Sequence, residues 1–445
     1  MTISDLFGIG ASGARAYQAA MGVIANNIAS ADTPGYSRRT LALKESPSGA
    51  GTTIWYRSGL AYGGVDIDKI VRATDPYLDA AARETSNILG SADQRARWMS
   101  DIQTALNDGS LGVGQRMTAM FAAVERLASN PADTTLRADV LFSFEQINTA
   151  FKQSRSDLVT IRNSIGAGAT TEVAALNKAL EQLADANEGL RRSAPETAAH
   201  IALLDSRDQA LGEIAKRLDV VIEFGDHDAA NVSYGAVKLV DNIVANPLAV
   251  SQDADGLLHF TVGGTTITDP ANGALGGMVK SAQVTKERID SIDALATQYV
   301  TEINNWHRAG QTASGVPGAN MLAMGADASS LQVLIGDPAQ IAGASASGVS
   351  NGNLLAINAL RNVGSFEDKW VALVAMHGNQ VGATLAEQSA AAGRDTMAQQ
   401  ARADVSGVNL DREAADLLRF QQAYQASARV IQVAKEVMQT LFSAF

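Results

Sequence analysis

The first residues along the chain with the types and spacing for chemistry are Gly8-Ile9-Gly10-Ala11-Ser12-Gly13, a formal G-x-G-x-x-G, with Asp32 downstream. In a dinucleotide fold such glycines follow a buried strand, and the acid closes a second strand to read a ribose. Here only seven residues precede Gly8, and Asp32 stands before the turn residues Thr33-Pro34-Gly35. The pattern therefore makes no nucleotide site. The five histidines, His200, His227, His259, His307 and His377, include no pair at the i, i+4 spacing of a local zinc motif. His307, in Asn304-Asn305-Trp306-His307-Arg308, reads as a capping or packing residue near a helix end, whose replacement should cost little stability. Asp226-His227-Asp228 and Asp253-Ala254-Asp255-Gly256 resemble pieces of calcium loops but lack the remaining ligands, so turn chemistry accounts for both. Asp205-Ser206-Arg207-Asp208 reads as a solvated helix face with local ion pairs worth ~0.2–0.5 kcal/mol each. There is no cysteine, no phosphate-binding loop, and no Ser or Thr set beside a base at a telling spacing. The sequence is therefore expected to hold no catalytic residue, no cofactor and no metal.

Those positions must be held by the elements around them. The chain has 445 residues, enough for two to four domains at about 100–200 residues each. Its 35 Lys and Arg against 47 Asp and Glu leave a net charge of −12, which argues against a nucleic-acid surface. Hydrophobic residues make up 46% but aromatics only 5%, so the cores are built mainly from small, helix-forming aliphatics. No apolar run reaches the roughly 18 residues of a membrane-spanning helix. The N-terminal stretch lacks the basic and apolar regions of a cleaved signal peptide.

Residues 4 to about 31 read as one helix. Ile3, Phe7, Gly10, Ala14, Tyr17, Met21, Ile24 and Ile28 follow a 4, 3, 4, 3 spacing, the seam of a coiled coil. The run Thr33-Pro34-Gly35 stops it. Short strands are expected at 40–43, 52–56 and 65–70. Asp75-Pro76 then starts a helical stretch over 76–219, broken near 107–114, 130–131, 166–171 and 191–195. Residues 220–275 alternate short β-forming runs with turn clusters and read as an inserted β domain. Helix resumes over about 278–308, a loop region with one strand at 331–335 follows, and 366–402 is helical again. At the C-terminal end Leu410, Leu417, Tyr424, Ile431, Met438 and Phe445 recur every seven positions, with Ala414, Gln421, Ala428, Lys435 and Phe442 as the second row. The fold expected is mainly α with inserted β: an elongated multi-helix bundle carrying one small β domain.

Two terminal stretches are more specific. Ala25-Asn26-Asn27-Ile28-Ala29-Ser30-Ala31-Asp32-Thr33-Pro34-Gly35-Tyr36-Ser37-Arg38-Arg39 and Phe420-Gln421-Gln422-Ala423-Tyr424-Gln425 resemble the signatures of the flagellar axial proteins, the family that builds rod, hook and hook–filament junction. The signature residues are Asn26, Asn27, Thr33, Pro34, Gly35, Tyr36, Gln421, Gln422 and Tyr424. The first stretch departs from the family pattern at Arg39, where Gln is usual, and Gly10 and Gly13 weaken the helix before it. Asn130-Pro131-Ala132-Asp133, Leu203-Leu204-Asp205-Ser206-Arg207-Asp208 and Asn304 with His307 and Gly310 resemble interior elements of the junction members.

The resemblance implies a structural protein without catalysis, in which residues 1–36 and 405–445 pair as a terminal coiled-coil domain. Residues 37–219 and 276–404 would form the helical bundle with short β segments, and 220–275 the inserted β domain. The assembly interface it implies runs over Phe7, Tyr17, Met21, Ile24, Ile28, Leu410, Leu417, Tyr424, Ile431, Met438 and Phe445. Implied partners are further copies of the chain, the hook protein, a second hook–filament junction protein, and an export chaperone on the C-terminal helix. Nucleic acid and a membrane span are not among them. The implied location is the extracellular flagellum, reached through the flagellar type III apparatus without a cleaved signal peptide. A hook or rod component is the alternative within the family. An enzyme carried on the β insert is the alternative outside it, and 220–275 is short for an independent catalytic domain.

Overall fold

A computed structural model describes residues 3–45, 63–106 and 108–443. The strand expected at 52–56 and the last heptad position, Phe445, lie outside the described residues. In chain order the elements are α1 (Ile3–Ala29), β1 (Arg39–Glu45), β2 (Val65–Arg72), α2 (Pro76–Ala105), α3 (Val113–Ser129), α4 (Thr134–Arg192) and α5 (Ala198–Arg217). Seven short strands follow: β3 (Val221–Phe224), β4 (Ala230–Tyr234), β5 (Val237–Asp241), β6 (Val244–Ala245), β7 (Leu248–Gln252), β8 (Leu258–Val262) and β9 (Thr265–Thr266). The remaining α-helices are α6 (Gly273–Ala309), α7 (Gly352–Ala356), α8 (Phe366–Ser406) and α9 (Leu410–Ser443). No helix among the described residues is long and apolar enough to cross a membrane.

The body is a bundle in which α2 packs on α5, α6 and α8, and α4 packs on α3, α5 and α6. Local chemistry sets the helix starts. The Asp75 carboxylate accepts from the Tyr77 and Leu78 amides with Pro76 in the first helical position, and Asp133 does the same for Thr135 and Leu136 at the start of α4. Two cores share α4. One is aromatic: Phe151 stacks on Tyr299 at 5.7 Å between ring centroids, and Phe121 stacks on Phe366 at 6.0 Å. The other buries Leu176, Leu180, Leu211 and Ile214 under Val232, Leu239 and Phe260 of the β insert.

The helix break expected at 166–171 is absent, and α4 runs unbroken for 59 residues. Its glycines serve packing. A Cβ at Gly166 would stand 2.4 Å from Gln252 Oε1, and one at Gly168 would crowd Met278 and Trp98. The hydroxyls of Thr170 and Thr171 fold back onto the Gly166 and Ala167 carbonyls and leave the helix intact.

The insert forms two antiparallel sheets, β3-β4-β5-β6 and β7-β8-β9. Two asparagines of α4 fasten them. Asn187 donates to the Ala230 and Asn242 carbonyls and accepts from the Ala230 amide, while Asn177 exchanges both bonds with Leu248. After α6, the stretch expected as a loop with one strand holds two short antiparallel pairs, 310–311 with 344–345 and 322–323 with 332–333.

His307 organises that stretch. Its Nδ1–H donates to the Ala319 carbonyl at 2.6 Å, and Nε2 accepts from the Ala342 amide at 2.9 Å. Asn304 holds the Met321 and Leu322 amides beside it. His307 is thus a packing residue whose Nε2 satisfies the buried Ala342 amide, so its replacement is expected to cost more than a surface histidine would.

Candidate assembly interface

The last residues of α1 lie against the first residues of α9, so the two terminal helices run antiparallel. Their seam is narrow and lined by small residues. On α1, Gly10, Gly13, Ala16, Ala20, Ile24 and Asn27 are buried. On α9, Glu413 and Ala434 are buried and Leu417, Phe420, Ser427 and Ile431 half-buried. A Cβ at Gly10 would stand 2.8 Å from Ile431 Cγ1 and 3.2 Å from the Ser427 carbonyl oxygen, and one at Gly13 2.9 Å from Ser427 Oγ. The glycines that imitate a phosphate loop are thus the points of closest helix approach. Tyr17 meets Phe420 midway, 6.0 Å between centroids.

The structure distributes the heptad residues unevenly. Ile24 is buried, and Tyr17, Met21, Leu417 and Ile431 are half-buried, whereas Phe7, Ile28, Leu410, Tyr424 and Met438 are exposed. The rows of α1 share Gly10, Tyr17 and Ile24 with the sequence reading, but the second row is Gly13, Ala20 and Asn27 instead of Ala14, Met21 and Ile28. On α9 the second row is Glu413, Phe420, Ser427 and Ala434, one position before Ala414, Gln421, Ala428 and Lys435.

At the end of the seam a polar cluster joins the helix pair to the body. Asn27 Nδ2 donates to Glu413 Oε2 at 2.9 Å and to the Arg39 carbonyl at 2.8 Å. Its Oδ1 accepts from the Tyr36 hydroxyl and the Arg39 amide. Arg38 donates from Nε to Glu413 Oε1 at 2.6 Å, and the Arg38 amide donates to the Ser406 carbonyl. Glu413 is 0% exposed, so its carboxylate depends wholly on these partners. Burial raises the Tyr36 hydroxyl above its ordinary value, with Arg39 opposing; it stays protonated and donates.

The cluster continues through the β1–β2 hairpin, where Arg39 and Arg72 stand opposite each other. Arg39 pairs with Asp205 at 2.8 Å, and Arg72 reaches Asp205 and Asp208, each at 2.8 Å. Arg207 holds Asp208 from Nε and Nη2 and donates to the Asp228 carbonyl. The Asp205–Asp208 run is therefore a buried ion cluster and not a solvated face: the hairpin sets two arginines against α5. Arg39, which departs from the family's usual Gln, also covers the Tyr36 ring at 4.8 Å.

Among the signature residues, Asn27 and Tyr36 sit in this cluster. Gly35, at φ +80°, lies against Gln209 of α5 in a turn closed by the Tyr36 amide donating to the Thr33 carbonyl. Asn26, Thr33, Pro34, Gln421, Gln422 and Tyr424 face outward. Sequence reasoning passed over Glu413 as a seam residue. Its signal was a lone acid in heptad phase with Leu417 and Phe420.

One constellation elsewhere has the composition of a hydrolytic triad. Ser193 Oγ lies 2.9 Å from His200 Nδ1, and His200 Nε2 lies 3.6 Å from Asp228 Oδ2. The Ser193 hydroxyl, however, donates to the Leu190 carbonyl, and Ser193 caps the C-terminal end of α4, where carbonyls oppose a developing oxyanion. It is a helix-end clasp.

The long central helices under a small β insert agree with a family profile described as the flagellar hook-associated protein FlgK helical domain, which matches residues 99–322. The chain belongs to the FlgK family. Its two ends match profiles described as flagella basal body rod protein, over 7–36, and flagellar basal body rod FlgEFG protein C-terminal, over 399–444. Flagellar hook-associated protein 1 of Escherichia coli is 25% identical, with 99% of this chain and 100% of that protein covered. Its Bacillus subtilis counterpart is 23% identical over 95% and 94%. The solved structure of the flagellar hook junction protein FlgK from Burkholderia pseudomallei shares the fold at a TM-score of 0.50 and 21% identity, over 56% of this chain and 47% of that one. Within this FlgK-family chain the matched ends coincide with α1 and α9, and the matched centre with the bundle and insert.

Proposed function

We propose that this FlgK-family chain is a structural subunit of the flagellar hook–filament junction, assembled through its paired terminal helices, and that it performs no catalysis. The observation that carries the reading is the apolar surface the pair leaves exposed. While the seam uses small residues, Phe7 and Ile28 of α1 and Leu410, Leu418, Tyr424, Val433 and Leu441 of α9 remain exposed. Exposed apolar side chains on an otherwise paired element are suited to contact with further protein. Its occupants would be further copies, the hook protein on one side and a second junction protein on the other. Before assembly the same face of α9 would suit an export chaperone, on a route through the flagellar type III apparatus without a cleaved signal.

In this reading residues 1–36 and 405–445 act as the assembly domain, 37–219 and 276–404 as a bundle, and 220–275 as an outer β domain. The test is genetic and visual. A strain lacking the chain should shed filaments from complete hooks, and a copy lacking 410–445 should fail to restore them. Filaments that stay firmly attached in the null strain would overturn the proposal. The likeness of both ends to rod-protein profiles favours, as a second reading, a hook or rod component. Immunogold label along the whole hook instead of at its tip would decide for it.

A further inference from the structure

The seam between α1 and α9 has a property that its packing alone does not resolve. Small residues repeat along it on both helices: Gly13 and Ala20 on α1, Ser427 and Ala434 on α9. Sliding one helix past the other by a heptad would place Gly13 against Ala434 and Ala20 against Ser427, again small against small. These small layers do little by themselves to discriminate between the two alignments, because small against small offers nearly the same contacts in each, while the bulkier Tyr17–Phe420 contact is one the shift breaks.

We infer that Asn27 and Glu413 are positioning residues that select the alignment of the terminal pair, with Arg38 as their anchor to the body. Both lie in the seam rows, both are 0% exposed, and their side chains meet at 2.9 Å. They form a buried polar layer at one end of an otherwise small and apolar interface. In the slipped alignment Asn27 would face Phe420, and the Glu413 carboxylate would lose its amide donor inside the protein. A buried charge without its partners is heavily penalised, so the layer rejects the wrong alignment more than it rewards the right one. Arg38 supplies the absolute reference. Its Nε holds Glu413 while its own amide is bonded to Ser406 at the end of α8, so the aligned pair is also set against the bundle. The inference concerns the geometry of the helix pair itself and stands whether or not the chain occupies the hook–filament junction.

The chain has no cysteine, which allows a direct test by disulfide trapping in the full-length protein. A Cβ at Gly13 lies 3.6 Å from the Ser427 Cβ, within the range for an unstrained disulfide. Gly13→Cys with Ser427→Cys therefore reports the native alignment, and Gly13→Cys with Ala434→Cys reports the slipped one. With Asn27 and Glu413 intact, the native reporter should close at least about tenfold more than the slipped one, as expected for a charged hydrogen bond. In the Asn27→Leu/Glu413→Leu background, where apolar side chains replace the whole layer, helix content should persist and the preference should fall to within about threefold. Glu413→Gln, which keeps a bond to Asn27 but loses the charge on Arg38, should fall between. A native reporter that keeps its full preference in the double-leucine background would overturn the inference. So would a background in which neither reporter closes, because the layer would then hold the helices together instead of choosing their alignment.

Discussion

The closest approach between the terminal helices can be tested by one substitution made at two places on the same helix. Replacing a helical glycine by alanine stabilises the helix by about 1 kcal/mol when nothing else changes. Gly22 meets that condition: no atom lies within 4 Å of a Cβ built there. Gly10 does not. Its Cβ would stand 2.8 Å from Ile431 Cγ1, 3.2 Å from the Ser427 carbonyl oxygen and 3.4 Å from the Ile431 amide nitrogen. Two of those three atoms are backbone, so rotation of one side chain does not relieve the clash and the helices must separate. Overpacking of that kind costs about 1–3 kcal/mol. Set against the same gain in propensity, Gly10→Ala should destabilise the pair by up to about 2 kcal/mol, whereas Gly22→Ala should stabilise it by about 1 kcal/mol. The two variants should differ by about 1–3 kcal/mol, or about 5- to 150-fold in the opening equilibrium. Hydrogen–deuterium exchange of 3–29 in the purified chain reads that equilibrium locally. Exchange slowed equally by both substitutions would refute the close seam and return Gly10 to the role of a mere weak point in the helix.

Glu413→Ala should cost about 3–5 kcal/mol, since it strips a buried ion pair of one partner and leaves Arg38 and Asn27 facing a void; exchange in α1 and α9 together, with the bundle unaffected, would check it. His307→Ala should lower the urea stability of the body by about 1–3 kcal/mol, the cost of leaving the buried Ala342 amide unpaired. Burial holds the His307 and His377 imidazoles below the ordinary histidine value, against backbone hydrogen bonds that push the other way. The unfolded chain therefore takes up protons through about pH 6.5 while the folded chain does not, and stability should fall below that pH by up to about 1.4 kcal/mol per pH unit per histidine. Urea midpoints from pH 7.5 down to 5.5 should show the slope in the native chain and lose it in His307→Gln/His377→Gln.

Much of this architecture is legible in the sequence because its signals are local. Asp75-Pro76 and Asp133 start helices by capping, and the turn-rich run after Asp219 could only be short strands. The terminal heptads are equally plain, yet their facing rows are not. Hydrophobic periodicity favours Met21 and Ile28 for the seam, while the structure gives those layers to Ala20 and Asn27. Small and polar residues carry little weight in a periodicity count, although they are what lets two backbones approach. The ion cluster was hidden for a related reason. Asp205 and Asp208 look solvated on their own helix, and only the hairpin that returns Arg39 and Arg72 to α5 buries them. Gly166 illustrates the converse: a helix breaker by propensity, it is retained because Gln252 occupies the space its side chain would need.

Helix α4 has a mechanical consequence. At 59 residues and about 1.5 Å per residue it is a strut of about 90 Å, and it is anchored in both cores. A bending load on either core is thus carried by the same unjointed member, and the bundle resists flexure as one lever. The compliance must lie elsewhere, in the short crossings at 30–38 and 407–409. There the terminal pair meets the body through the Arg38–Ser406 and Arg38–Glu413 bonds, the Asn27–Arg39 bonds and the packing of β1 and β2 along α1. The chain is then a long arm on a largely polar joint, and any change of tilt between successive subunits would be taken up at that joint while the arm stays straight.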